Sequence, residues 1–204
     1  MSVNNFINHV ALVIDGSGSM SNLQSQVVKV ADAQIAYLAQ RSKETDQETR
    51  VSLYVFEDRN KIVCHVYDKD VLRLPSLSGL YRTVGQTPLI DATLKAVGDL
   101  KKTATLYGEH SFLIYVLTDG AENASRKYTG PAIRELVKAR QDAGWLVVFL
   151  GAGLDAAQQG AALGVRGAYT ADFSTANMNE TMAEVAVASA GYGRSANMQA
   201  ARGF

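Results

Sequence analysis

Three uninterrupted apolar runs, Val10–Ile14, Phe112–Leu117 and Leu146–Leu150, do most to limit how this chain can fold. Each is rich in β-branched or aromatic residues, the pattern of strands covered on both faces of a parallel sheet. Between and around them, apolar residues recur at spacings of three and four. One such series is Leu23, Val27, Val30, Ala31, Ile35 and Leu38; a second is Leu89, Ile90, Leu94, Val97 and Leu100; a third begins at Ile133, Leu136 and Val137. These spacings predict helices with one apolar face. Strands that alternate with helices of this length need right-handed crossovers. The expected fold is therefore α/β: a doubly wound, Rossmann-like three-layer sandwich around a mostly parallel sheet of about six strands. One pair breaks the alternation. Val51–Phe56 and Lys61–Tyr67 both read as strands, and the four residues that join them, Glu57 to Asn60, are too few for a crossover. They predict an antiparallel hairpin, with the more polar second strand at the sheet edge.

The chain has 204 residues, which suits a single domain. Residues 1–190 are expected to form it, with 191–204, rich in Gly, Ala, Ser and Arg, as a loosely ordered tail. Twenty basic and 20 acidic residues cancel, which points away from nucleic acid and from a polybasic membrane anchor. Residues 1–9 lack a basic stretch followed by an apolar one, so no secretory signal is expected. The apolar runs are too short to span a bilayer. The single cysteine, Cys64, cannot form an internal disulfide and reads as a small buried hydrophobe. A cytoplasmic location is expected.

In an open α/β sheet, ligands sit beyond the carboxyl ends of the strands, near the point where strand order reverses. Three polar loops are expected there. Asp15-Gly16-Ser17-Gly18-Ser19 follows the first strand, Gly85-Gln86-Thr87-Pro88 precedes a helix, and Thr118-Asp119-Gly120 follows a central strand. They offer carboxylates and hydroxyls, hard oxygen ligands that suit Mg²⁺, with Mn²⁺ or Ca²⁺ as substitutes. Zinc would favour His or Cys, and these loops have neither. Gly16 and Gly18 allow the sharp turn that aims Asp15, Ser17 and Ser19 at one point.

With Asp15, Ser17 and Ser19, then Thr87, then Asp119, the chain resembles the von Willebrand factor A (VWA) domain family and its metal-ion-dependent adhesion site (MIDAS). The resemblance spans roughly residues 8–190. The phrases Thr87-Pro88-Leu89-Ile90-Asp91-Ala92 and Leu117-Thr118-Asp119-Gly120 look like small stand-alone VWA proteins of bacteria and their phages. This resemblance implies direct coordination by Ser17 and Ser19, by Thr87 directly or through water, and by Asp15 and Asp119 partly through water. A partner's Glu or Asp would take the sixth position. It also implies a protein-binding module rather than an enzyme, with a MoxR-type AAA ATPase or its substrate as a candidate partner.

Asp91 and Glu122 flank the site and are candidate supporting residues around the metal; the plainer reading is a helix-face carboxylate and a loop carboxylate. Tyr81, Arg82 and Gln86 are candidate contacts on the partner-facing rim. Gly151-Ala152-Gly153-Leu154 is similar to part of a dinucleotide fingerprint, but the acidic residue expected about 20 positions later is missing, so a tight strand-to-helix turn explains the glycines. His9 and His110 are expected just before strands, at the end of the sheet opposite the metal loops, so neither is placed as a general base there. Two alternatives remain at this stage. One is a metal-dependent phosphohydrolase using Asp15, although Ser17 stands where a second carboxylate would normally be needed. The other is an adhesion component of a phage or particle surface.

Overall fold

The computed structural model describes residues 6–58, 61–103, 105, 108–152 and 155–173. Six strands form one sheet in the order β3-β2-β1-β4-β5-β6. They are β1 (Phe6–Asp15), β2 (Glu48–Asp58), β3 (Lys61–Asp70), β4 (Glu109–Thr118), β5 (Leu146–Ala152) and β6 (Thr170–Phe173). β1 pairs in parallel with both β2 and β4, β4 with β5, and β5 with β6; only β3 runs antiparallel, on β2. The doubly wound sheet with an antiparallel edge hairpin is the fold expected from the apolar runs.

The helices are α1 (Gln24–Thr45), α2 (Leu89–Leu100), α3 (Gly130–Asp142) and α4 (Ala156–Ala162). Alternate residues of β1 explain why its run is apolar throughout. Val10, Leu12 and Ile14 pack with Val27, Val30 and Ala31 of α1, while Ala11 and Val13 pack with Leu89, Val97, Ile133 and Val137 of α2 and α3. Each fully buried Val, Leu or Ile among them contributes roughly 1.5–3 kcal/mol. The chain leaves β1 for one face of the sheet and β4 for the other. The reversal of strand order, and with it a ligand-binding crevice, therefore lies between the carboxyl ends of β1 and β4.

At the late strand-to-helix turn, a Cβ on Gly151 would lie 3.1 Å from the Cβ of Ala156, and Asp155 caps α4 by accepting from Gln158 N–H at 2.9 Å. Close packing and a cap account for this turn without a cofactor. Gly153, Leu154 and the expected tail at 191–204 lie outside the described residues. Among the described residues, no helix is long and apolar enough to cross a membrane. One expectation is corrected. His9 and His110 do not precede their strands but sit within β1 and β4, near the amino ends. Backbone pairing of β1 with β4 carries both strands beyond their apolar stretches.

Candidate metal centre

β1 ends at Asp15, whose side chain is buried where three loops meet. Its Oδ1 accepts from Ser17 N–H at 2.7 Å, and its Oδ2 accepts from the Thr118 hydroxyl at the end of β4. Burial pushes the Asp15 carboxyl up from 3.8 to about 6, with the hydrogen bonds from Thr118 and Ser17 opposing and the nearby Asp119 charge adding.

The loop after β1 turns at Gly16 for a steric reason. A Cβ there would lie 2.7 Å from the Arg82 carbonyl oxygen and 2.9 Å from Val55 Cγ1. Gly16 N–H donates to Phe56 O at 2.8 Å, and its carbonyl accepts from Val84 N–H at 2.6 Å. Gly85 (φ +82°) is equally confined, since a Cβ would lie 2.3 Å from the Glu57 carbonyl oxygen. The 82–86 loop is thus wedged between the β1 loop and the end of β2.

Ser17 and Ser19 place their hydroxyls 3.0 Å apart, and Ser19 Oγ donates to Asp119 Oδ1 at 2.6 Å. Thr87 is buried, and its backbone is tied to the third loop. Thr87 N–H donates to Asn123 Oδ1 at 2.9 Å, and Asn123 N–H donates to Thr87 O at 3.2 Å. A Cβ on Gly120 would lie 3.0 Å from Thr87 Oγ1 and 3.8 Å from Asp15 Oδ2. Glycine at this position keeps the space among the oxygen donors clear. Asp15, Ser17, Ser19, Thr87 and Asp119 are therefore gathered at one place. Among the described residues, no group of three or more His, Cys, Asp or Glu side chains is arranged to hold a metal. The donors here are hydroxyls with two carboxylates, a set that suits a hard divalent cation.

The flanking carboxylates have structural partners. Glu122 Oε1 accepts from Ala124 and Ser125 N–H (2.8 and 2.7 Å), and Oε2 accepts from Ile90 N–H at 2.7 Å. That last bond satisfies an otherwise orphan donor in the first turn of α2. Asp91, buried, accepts from Arg126 N–H at 3.0 Å and Lys127 N–H at 3.2 Å. Both clamp the loop carrying Asp119 to the helix that follows Thr87.

The rim differs in part from expectation. Arg82 and Gln86 are exposed. Tyr81 is not a rim contact: it is 2% exposed, packs in the core under α1, and donates its hydroxyl to Asp15 O at 2.5 Å. Burial, and then the Asp15 and Asp119 charges, push its phenol up, so it stays a donor. Its ring has an apolar body to bury, a property that a loop position in sequence does not disclose. Thr118 and Asn123 were not singled out as site residues, and neither was Val84. Val84 is 54% exposed in the loop held on Gly16, and an apolar residue between Thr83 and Gly85 in a polar loop was the available signal.

A family model for the von Willebrand factor type A domain matches residues 9–186. No curated protein matches the chain significantly in sequence. Among solved structures, the pilus adhesin SpaC of Lactobacillus rhamnosus GG, in its open conformation, is similar at TM-score 0.68 and 15% identity, covering 91% of this chain and 30% of that one. The von Willebrand factor domain of the type V pili tip protein Mfa5 from Porphyromonas gingivalis is similar at TM-score 0.66 and 11% identity, over 92% of this chain and 96% of that one. Proximal thread matrix protein 1 from the mussel byssus, with a zinc-occupied MIDAS motif, is similar at TM-score 0.61 and 15% identity, over 92% and 47%. The chain thus spans under a third of SpaC and about half of the mussel protein. At these identities the structures speak for the fold, whereas the family model covers most of the sequence; the chain belongs to the von Willebrand factor type A domain family.

Proposed function

We propose that the chain is a metal-dependent protein-binding module. In this reading Asp15, Ser17, Ser19, Thr87 and Asp119 hold Mg²⁺, with Mn²⁺ or Ca²⁺ able to substitute, and a Glu or Asp from a protein partner completes the coordination. The observation that carries it is the meeting of three loops around hydroxyl and carboxylate oxygens, with Gly120 clearing the space between Thr87 and Asp15. A hydroxyl-rich site leaves more of the cation's charge uncompensated than a carboxylate cage would, and so favours an outside carboxylate. The mussel protein, whose MIDAS motif holds zinc, supports a divalent ion in general rather than Mg²⁺ in particular.

Binding fits the geometry better than hydrolysis through Asp15. Both oxygens of that carboxylate are engaged, by Ser17 N–H and the Thr118 hydroxyl, and the side chain is buried, which leaves a nucleophile no line of approach. A MoxR-type AAA ATPase or its substrate is the finer partner proposal and rests on the sequence resemblance alone; co-purification with such an ATPase tests it. A cytoplasmic location is likewise proposed, on the lone cysteine. The resemblance to pilus adhesins supports the competing idea of an adhesive component on a cell or particle surface.

Titration calorimetry with Mg²⁺, Mn²⁺ and Ca²⁺ tests the metal site. One bound ion per chain, lost in Ser17→Ala and Asp119→Ala with the fold retained, is the expected result. Equal binding by the variants would sink the assignment of these residues. Partner capture in Mg²⁺ that survives both chelation and Asp15→Ala would sink the docking role.

A further inference from the structure

At the opposite end of the sheet, three titratable side chains from three strands form a line that the metal site does not use. His9 on β1 is 2% exposed. Its Nδ1 lies 2.7 Å from Asp68 Oδ1 on β3, and its Nε2 lies 3.0 Å from His110 Nδ1 on β4. The imidazole planes are 12° apart with centroids at 5.3 Å. That separation equals the nitrogen–nitrogen distance plus one ring radius on each side. The rings therefore lie edge to edge in nearly one plane, each nitrogen aimed along the line joining them. Two lone pairs converging on a cation would meet at an angle; an in-line pair 3.0 Å apart is the geometry of a shared proton.

The line is held from several sides. Asp68 adopts φ +46°, a left-handed conformation that is unfavourable for a non-glycine residue, beside an irregularity in the β2–β3 pairing. Its N–H donates to Ser52 Oγ at 2.9 Å. Burial pushes the Asp68 carboxyl up, but the hydrogen bond and charge of His9, and then Arg50, outweigh it and hold it below the usual carboxylate value. Charged side chains on β2 and α3 flank the line. β2 supplies Arg50, 3.4 Å from Asp68 Oδ2, itself paired with Glu48 at 2.6 Å. α3 supplies Arg140, over the Trp145 ring, which stacks on Phe112, which in turn stacks on His9. The polar neighbours Asn8, Gln47 and Ser111 are neutral.

Proton counting then distinguishes three states. With both imidazoles neutral, His9 Nδ1–H faces ionised Asp68, so His9 Nε2 accepts from His110 Nδ1–H. With one proton added at His110 Nε2, the Nδ1 proton passes to His9 Nε2, and His9 becomes an imidazolium that donates from both nitrogens, to Asp68 and to His110 Nδ1. Both states keep every hydrogen bond in the line. With a second proton, two N–H groups and two positive charges face each other at 3.0 Å, and the contact cannot survive. We infer that Asp68, His9 and His110 form a single-proton latch across β3, β1 and β4, closed with neither or one proton and opened by the second. Opening removes a side-chain tie between the amino ends of β1 and β4, the two central strands, which the backbone ladder still joins.

NMR of the ¹⁵N-labelled full chain in chelator tests the latch. A scalar coupling across the His9 Nε2–His110 Nδ1 bond should persist when the pair takes up one proton and vanish when it takes up two. At that second step, protection factors of the His9 and Val10 amides should fall about tenfold or more, the scale of losing one charge-assisted hydrogen bond. In His110→Gln, whose amide can still bond His9 but cannot take a proton, that fall should be absent. Independent single-step titration of the two histidines without a shared coupling would overturn the latch. So would the same loss of protection in His110→Gln. The wild-type coupling decides the question even if the variant folds poorly.

Discussion

Asp15 places an ionisable group in the core at the cost of stability when no cation is present, and that cost can be worked out. The residue is fully buried, and its carboxyl titrates at about 6 instead of 3.8. A buried acid with a raised pKa keeps a proton in the native state that the unfolded chain has already released. Between pH 3.8 and about 6 the native state therefore binds more protons, and stability from this residue falls as pH rises. A shift of this size amounts to about 3 kcal/mol in full, and the full amount is in force above pH 6. The isosteric Asp15→Asn removes the charge. Its amide can be accommodated because Thr118 Oγ1, 3.1 Å from Gly120 O, has another acceptor for its proton. In chelator at pH 7 the variant should be more stable than the wild type by about 3 kcal/mol, or roughly 6–12 °C in Tm for a chain of this size. At pH 4.5 the gap should shrink to about 1 kcal/mol. Mg²⁺ at about 1,000 times its Kd should then invert the order, since it adds about 4.1 kcal/mol to the wild type alone. Urea unfolding followed by circular dichroism at the two pH values, with and without Mg²⁺, measures all of this. A variant less stable than the wild type in chelator at pH 7, or a gap that does not change with pH, would refute the claim that burial governs this carboxylate.

Other perturbations probe how the loops are held. Gly16→Ala must move the Arg82 carbonyl or Val55; a loss of about 1–3 kcal/mol in chemical denaturation, with weakened Mg²⁺ binding, is expected. Wild-type stability in that variant would mean the loop has room that its packing does not suggest. Tyr81→Phe keeps the ring but leaves the buried Asp15 carbonyl without its 2.5 Å donor, so a loss of about 1–3 kcal/mol is expected, and an unchanged urea midpoint would count against that contact. Glu122→Gln retains shape but turns two donors toward backbone N–H groups; Mg²⁺ affinity measured by calorimetry should drop because the Asp119 loop loses its tie to Ile90. Unchanged affinity would show that Asn123 alone positions Thr87.

Sequence made some features legible and hid others, for physical reasons. β1, β4 and β5 declare themselves because both faces are covered, so nearly every residue in them must be apolar. β6, Thr170–Phe173, pairs among the described residues with β5 alone and carries Thr and Asp, so no periodic signal marks it. The residues of the metal centre were nameable because they cluster in short loops of distinctive chemistry. The way their supports act was not. Glu122 and Asp91 look like any helix or loop carboxylate until backbone N–H groups converge on them, and Tyr81 reads as a surface residue until its ring is seen in the core. The His9 line is the extreme case, since its members are 59 and 101 residues apart and only strand order makes them neighbours.

The hydrogen bonds at the metal centre bear on which oxygens would face a cation. A hydroxyl can give its proton to a carboxylate and keep lone pairs for a metal; a carboxylate that already accepts two hydrogen bonds has less to offer. Ser19 Oγ donates to Asp119, and Asp15 takes one donor on each oxygen. The arrangement supports hydroxyls of Ser17, Ser19 and Thr87 next to the ion, with Asp15 and Asp119 one layer out, holding those hydroxyls or their waters in place. The two carboxylate charges then act at longer range, where they balance the ion less completely than direct ligands would. The uncompensated charge would sit at the exposed side of the site, beside Arg82, Val84 and Gln86. A carboxylate arriving from a partner would be the first full negative charge in direct contact with the ion. Direct ligation by either aspartate would lower that attraction, and in the proposed docking role the Ser19 Oγ hydrogen bond to Asp119 would favour the indirect arrangement.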